Sequence, residues 1–272
     1  MDATKNTPHV SVIIPAYNES PTIISEAINS IIHQSYKNIE IHIFDDSTNQ
    51  NTREAIDSFS NYPNVFIHRS ETRFGFVHSL NVGLDVSKGK YIARMDSDDI
   101  SMPDRIQKQV SFLENNPEID FVGGALELID QDGNTISARN YPTTGFGLLC
   151  YAAFRCPFAH PTVMMRKSIV EEGFHYDESL KKAEDLDFWL RLIQSGHKCA
   201  NLPDCLLKYR ITQNFLDKRG DMLQRQTMAK VRAKNMSFRH PFLSVFSSFT
   251  GFIAMHLPRR IVDMVYRMEN KN

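Results

Sequence analysis

The stretch YIARMDSDDISMP, residues 91–103, opens as an apolar run and closes on three acids within four positions, Asp96, Asp98 and Asp99. Tyr91 to Met95 reads as a buried strand, because a short apolar run bounded by polar turn residues suits a strand covered on both faces. Carboxylates this close repel one another and raise each other's pKa, so the arrangement is costly unless a cation or hydrogen-bond donors offset it. The two-residue spacing lets Asp96 and Asp98 face one cavity while Asp99 turns to the helix after Pro103. A solvated turn with an Asp capping that helix accounts for the acids as well. An EF-hand loop does not, since its third acid and its glycine at the sixth position are missing.

Upstream, strand and helix patterns alternate. Val10 to Ile14 is apolar, then Ser20-Pro21 forms an N-cap and first-turn pair that opens the periodic set Ile23, Ile24, Ala27, Ile28 and Ile31. Ile39 to Phe44 reads as a strand ending in Asp45-Asp46-Ser47, followed by a polar helix to about Phe59. Val65 to Ile67 precedes a helix over about Phe76 to Val86. Downstream come a helix over Arg105 to Leu113, a strand-rich segment over Phe121 to Ile129, a turn at Asp132-Gly133 and a less regular stretch through Tyr141 to Gly147. A helix over Glu184 to Ile193 is ended by Gly196. The expected class is α/β, a mainly parallel, Rossmann-like sheet with helices on both faces and a C-terminal helical tail. Ligands of such sheets bind at the carboxyl ends of the strands. Tyr17-Asn18-Glu19, Asp45-Asp46-Ser47 and the acids after Met95 all follow strands directly, so they should meet at one rim.

Taken singly, each group also has an ordinary reading. Asp46 could cap a strand end, Glu19 could cap the helix at Pro21, Tyr17 could be a packing aromatic, and Asp185 could be an acid favoured by a helix N-terminus. The chain of 272 residues has a formal charge of −1 and a pI near 6.8, which offers no basic field for nucleic acid. The polar, acid-bearing start MDATKNTPHV is unlike a secretory signal, so a cytoplasmic location is expected. Cys150, Cys156, Cys199 and Cys205 suit neither a zinc site nor a disulfide framework and are expected as free thiols.

The segment Phe242 to Leu257 holds no Asp, Glu, Lys or Arg over 16 residues, short of the roughly 20 needed to cross a bilayer. Phe242, Phe246, Phe249, Ile253 and Leu257 share one helical stripe, flanked by Arg239, Arg259, Arg260 and Arg267. It suits a helix lying on an anionic membrane surface, or one packed on the protein's own domain.

From about His9 to Arg210 the sequence resembles the family 2 inverting glycosyltransferases of GT-A fold, particularly the bacterial enzymes that assemble O-antigen and capsule repeats. The resemblance rests on VSVIIPAYNES (10–20), IHIFDDSTNQNT (41–52), SLNVGLDVSKGKYIARMDSDDISMPDRIQKQ (79–109), HPTVMMRKS (160–168), AEDLDFWLRL (183–192) and LLKYRI (206–211). It implies a catalytic domain over 1–238, with a nucleotide-binding half to about 115 and an acceptor-binding half from about 116, and a tail over 239–272. It also puts Pro15, Tyr17 and Glu19 beside the nucleotide, Asp46 on the uracil ring and Asp96 near the ribose. Asp98 would bind Mn²⁺ or Mg²⁺ on the diphosphate. Asp185 would be the general base, with Glu184 beside it toward the acceptor. The donor implied is a UDP-sugar. The acceptor implied is a polyprenyl-diphosphate-linked saccharide at the cytoplasmic face of the inner membrane; a glucose or galactose joined β1,3 to N-acetylglucosamine is a guess from relatives. Relatives commonly carry a His where this chain has Thr212, so no second metal ligand is assigned there; the QxxRW signature and the multiple membrane spans of processive synthases are absent, so one sugar per encounter is expected. A sugar-nucleotide nucleotidyltransferase would open with a Gly-rich, Arg-containing loop, which PAYNES is not. A non-catalytic nucleotide-binding scaffold could dispense with Asp98 and Asp185, and both are present.

Overall fold

A computed structural model describes residues 7–211, 222–235 and 249. Thr212 and, apart from Phe249, the stretch expected to form the tail lie outside them. The described residues form one mixed sheet of nine strands with eight α-helices.

The sheet begins with β1 (Val10–Ala16), every residue of which is buried, and β2 (Ile39–Asp45) pairs with it in parallel. Between them α1 (Pro21–Ile32) starts as its sequence demands: the Ser20 hydroxyl accepts the Ile23 N–H at 3.3 Å, and Pro21 takes the first turn, where its missing N–H is no loss. After α2 (Gln50–Asp57), β3 (Val65–His68) joins β2; after α3 (Phe76–Val86), β4 (Tyr91–Arg94) joins the other side of β1, both parallel. These four strands are the parallel sheet expected. Alternate residues feed its two faces: Ile14, Ile24, Ile28 and Ile43 pack on one side, Ile13, Phe44, Leu80 and Leu84 on the other.

Beyond β4 the parallel rule stops. Following β5 (Ile100–Ser101), α4 (Arg105–Asn115) leads to β6 (Phe121–Ile129), and β7 (Thr135–Arg139) folds back on β6. Then come α5 (Gly145–Phe154), a turn of 3₁₀ helix over His160–Thr162 and β8 (Met164–Arg166), which is antiparallel to both β4 and β6. The short α6 (Ser168–Glu171) and α7 (Glu184–Ser195) precede β9 (Cys199–Arg210), which pairs in parallel with β6 and antiparallel with β5; α8 (Met222–Lys234) packs against α7. The sheet runs unbroken in the order β3-β2-β1-β4-β8-β6-β9-β5.

The stretch expected to be irregular contains α5, whose sequence GFGLLCYAAF carries two glycines and lacks a polar face or a side-chain cap, so nothing local announces a helix. Gly196 closes α7 at φ 106°, as expected of a C-cap glycine. The four cysteines are free thiols.

Between α3 and β4 the chain passes too close to β1 for any side chain. A Cβ on Gly89 would lie 2.6 Å from the Ser11 nitrogen, 2.7 Å from the Tyr91 oxygen and 2.8 Å from the His9 oxygen, all backbone atoms. Gly89→Ala is expected to destabilise the protein by about 1–3 kcal/mol, seen as a lower thermal melting temperature; an unchanged melt would contradict this close approach.

Candidate functional site

Side-chain hydrogen bonds between the strand-end loops draw the three polar clusters together. Asn18 sits at φ 59°, in the left-handed region that Asn tolerates better than most residues. From there its side-chain oxygen accepts the N–H groups of Thr48 at 2.8 Å and Asn49 at 2.9 Å, while its own N–H donates to the Ser47 hydroxyl at 3.0 Å. The Thr52 hydroxyl donates to the Glu19 carbonyl at 2.7 Å, so the loop after β1 is bound to α2 as well. Pro15 is buried opposite Phe44, and Tyr17 is left 43% exposed on the rim.

Asp46 accepts the Phe74 N–H on one oxygen and the Gly75 N–H on the other, each at 2.7 Å. This draws the segment before α3 across the end of β2, with Gly75 at φ 78° making the turn. The same segment lays the Arg73 guanidinium 3.8 Å over the Tyr17 ring, with its Nε 3.8 Å from Asp46. The strand-end cap reading of Asp46 is therefore realised, and it leaves the carboxylate lone pairs for a further donor.

At the end of β4 the Arg94 guanidinium grips both oxygens of Asp96, one of them at 2.8 Å. One oxygen from each of Asp96, Asp98 and Asp99 lies within 4.8 Å of the others. Burial pushes the Asp98 carboxyl up to about 7, helped by the charges of Asp96 and of Glu19, which the loop after β1 brings to the same place. Asp99 departs from the expected orientation. Rather than turning to α4, it is fully buried under β9, where one oxygen accepts the Arg210 N–H at 2.9 Å. Its other oxygen has no hydrogen-bond partner among the described residues, and burial together with Asp98 holds its pKa well above the usual range. The pairing of β5 with β9 moves Asp99 into the acid cluster. Behind it Arg105, wholly buried, donates to the Arg94 carbonyl at 2.7 Å; burial and the Arg94 charge bring it down to about 9.

Across from these acids, α7 begins at Ala183 in the left-handed conformation, φ 60°. One oxygen of Asp185 accepts the Leu186 N–H at 2.7 Å, and the other accepts from the Cys156 thiol at 3.3 Å. Burial, with Asp185 beside it, keeps that thiol protonated. The Glu184 carboxyl is raised to about 7 by burial and by Asp185; Arg94 draws it down and Asp96 pushes it up, so it faces the acid cluster. Asp187 points away from the rim into the core, held by Arg191 at 2.7 Å and Asn235 at 3.0 Å. His160 bonds the Tyr176 hydroxyl at 2.9 Å, and Tyr176 stacks on Phe188 of α7 at 4.3 Å; burial lowers the His160 pKa far enough to keep it neutral.

Sequence reasoning passed over Arg73, Arg94, Cys156 and His160. Arg94 and His160 lie inside quoted motifs, while Arg73 and Cys156 gave no signal. Chemically, the rim offers oxygen-only donors of the kind a hard divalent cation takes, and the buried Asp99 oxygen without a partner fits such an ion. Facing it is a carboxylate pair at a helix N-terminus. Among the described residues no helix is long and apolar enough to cross a membrane.

The sequence profile described as Glycosyl transferase family 2 matches residues 11–174. The amylovoran biosynthesis glycosyltransferase AmsE of Erwinia amylovora is 32% identical over 211 residues, 77% of this chain and 79% of AmsE. S. aureus TarS 1-349 in complex with UDP-GlcNAc is similar in structure with a TM-score of 0.61 at 20% identity, over 93% of this chain and 82% of that one. The mannosyltransferase PcManGT from Pyrobaculum calidifontis, in complex with GDP-Man and Mn²⁺, gives a TM-score of 0.70 at 16% identity, over 97% of this chain and 76% of that one. These structural likenesses speak to the fold, which is GT-A. With the profile spanning more than half of the sequence and AmsE alike along most of it, the chain belongs to glycosyl transferase family 2 and is a glycosyltransferase.

Proposed function

We propose that this protein transfers a hexose, with inversion, from a UDP-sugar to a polyprenyl-diphosphate-linked saccharide in the synthesis of a bacterial surface polysaccharide. The observation that carries this reading is the convergence of Glu19, Asp96, Asp98 and Asp99 at one sheet rim opposite the Glu184-Asp185 pair of α7. AmsE, by its name, acts in amylovoran biosynthesis, and the structural neighbours hold UDP-GlcNAc in one case and GDP-Man with Mn²⁺ in the other. A nucleotide-sugar donor suits all of them; UDP is the choice of the motif resemblance.

In this reading Pro15, Tyr17, Glu19 and Asp46 line the nucleotide, Asp96 receives the ribose and Asp98 holds Mn²⁺ or Mg²⁺ on the diphosphate. The cation would offset the negative charge that grows on the departing diphosphate. Asp185 accepts the proton of the acceptor hydroxyl as that oxygen attacks the anomeric carbon and the bond to the diphosphate breaks on the opposite side. A single displacement converts an α-linked donor to a β-glycoside. Glu184 sits toward the acceptor. The glucose or galactose donor sugar and the β1,3 linkage to N-acetylglucosamine carry over as guesses. Incubation with a panel of UDP-sugars and a synthetic lipid-diphosphate acceptor, with and without Mn²⁺, tests the reading; transfer from GDP-sugars alone would overturn its donor.

An acid whose folded pKa is raised costs stability once ionised. For Asp98, moved from 3.8 to about 7, that cost is full above pH 7 and fades as pH falls through 7 toward 4. Asp98→Asn is therefore expected to stabilise the metal-free protein at pH 8 by roughly 1 kcal/mol or more, with the gain shrinking at pH 5 and Mn²⁺-stimulated transfer lost. Melting curves in EDTA across that range check it; no gain at pH 8 would contradict the strained carboxylate.

Asp185→Asn keeps the size of the side chain and removes its basic oxygen. Donor binding should survive while turnover falls by at least about 10²-fold. Calorimetry with UDP beside steady-state kinetics separates the two, and wild-type turnover would remove Asp185 from the base role.

The membrane reading rests on the charge-free stripe from Phe242 to Leu257 and its flanking arginines. The full chain is expected to sediment with anionic vesicles and to be released by high salt. Equal sedimentation with neutral vesicles would exclude the electrostatic part of that attachment.

A further inference from the structure

Arg94 stands where the donor side and α7 meet. Its backbone is fixed by its N–H to the Val163 carbonyl at 3.0 Å and by the Arg105 guanidinium on its own carbonyl at 2.7 Å. Its side chain is 4% exposed, grips both oxygens of Asp96, and lies 5.3 Å over the ring of Phe76, the first residue of α3. Its charge also reaches Glu184 at the start of α7, favouring the ionised carboxylate.

We propose that Arg94 is a positioning residue for the transfer reaction, fixing the plane of Asp96 for the donor. The inference rests on the reading of Asp96 as a donor contact. A lone carboxylate beside Asp98 and Asp99 would rotate to relieve repulsion or be drawn into the cation's coordination. The two parallel N–H bonds of a guanidinium oppose both movements and leave the outward lone pairs of Asp96 free to accept a hydroxyl. Lysine could supply the charge but not the planar fork.

The test is a double-mutant cycle on UDP binding with Mn²⁺, measured by calorimetry, using Arg94→Gln, Asp96→Asn and the variant carrying both. Each single change should weaken binding about tenfold or more, and the double variant should bind no more weakly than the worse single one, because both remove one joint feature. Arg94→Lys should fall between wild type and Arg94→Gln, and its own cycle with Asp96→Asn serves if Arg94→Gln does not fold. In transfer assays Arg94→Lys should raise the donor KM and lower kcat while its melting temperature stays near that of the wild type. Losses that multiply, or wild-type UDP affinity and KM in Arg94→Lys, overturn the role of Arg94 alone. Absence of nucleotide binding by the wild-type chain overturns the donor-site reading and this role with it.

Discussion

Negative charge crowded onto one rim of the sheet is the constraint around which the surrounding structure is arranged. Asp96, Asp98 and Asp99 are within reach of one cation, Glu19 adds its charge from the loop after β1, and Glu184 faces them from α7. Uncompensated, so many half-buried carboxylates would each cost several kcal/mol, on the order of the desolvation penalty of a buried ion. Compensation comes from the buried Arg94 and Arg105 guanidinium groups and from the backbone N–H of Arg210. Arg94 holds Asp96, Arg105 supports Arg94 from behind, and Arg210 binds Asp99 through its N–H and the Asp98 carbonyl through its Nε at 3.0 Å. Arginine suits these positions because it stays charged where a buried lysine would lose its proton. Arg105 shows the margin: burial brings it to about 9, which still leaves it protonated at neutral pH. Asp98 and Asp99 remain raised in spite of this support, chiefly by burial and then by the neighbouring carboxylates, and a bound divalent ion would offset both costs.

Strand direction decides which residues meet there. Because β1, β2 and β4 run in parallel, their carboxyl ends open on one edge and deliver Asn18, Asp46 and Asp96 without long loops. Between β4 and β6 only β8 opposes this direction; β6 and β9, a parallel pair beyond it, run in the same sense as β4. That shared direction brings Arg210, at the carboxyl end of β9, onto Asp99 across 111 residues of sequence.

The parts of this arrangement legible in the sequence are those with local signals. Ser20-Pro21, Gly196 and the apolar periodicities mark element ends and faces, and a carboxylate cluster directly after an apolar run marks a rim. Less legible were features set by tertiary pairing. Asp99 reads locally as a helix-side acid, and only the docking of β9 on β5 turns it inward. α5 carries no helix signal, and β8 is too short, at three residues, to stand out from its flanks. Arg94 lay in plain view within a strand, where an arginine suggests an exposed edge rather than a side chain buried against an acid. The thiol of Cys156 meets Asp185 across 29 residues, a contact that composition and spacing do not encode.

The nucleotide side of the rim is internally satisfied before any donor arrives. Arg73 covers the ring of Tyr17, and Asp46 already holds the two N–H groups that fix the segment carrying Arg73. Under the proposed donor site, a base meeting the ring of Tyr17 would take the place of the guanidinium, exchanging one cation–π contact for a stacking contact of similar strength, roughly 1 kcal/mol. The Arg73 segment runs through Gly75 into the first turn of α3, where Phe76 lies beneath Arg94. One short segment thus joins the side of the rim proposed for the nucleotide to the residue that grips Asp96. Asp46 anchors that segment: by accepting the Phe74 and Gly75 N–H groups its carboxylate sets the position of Arg73 and Phe76, so a loss on its removal need not mean that it meets the base.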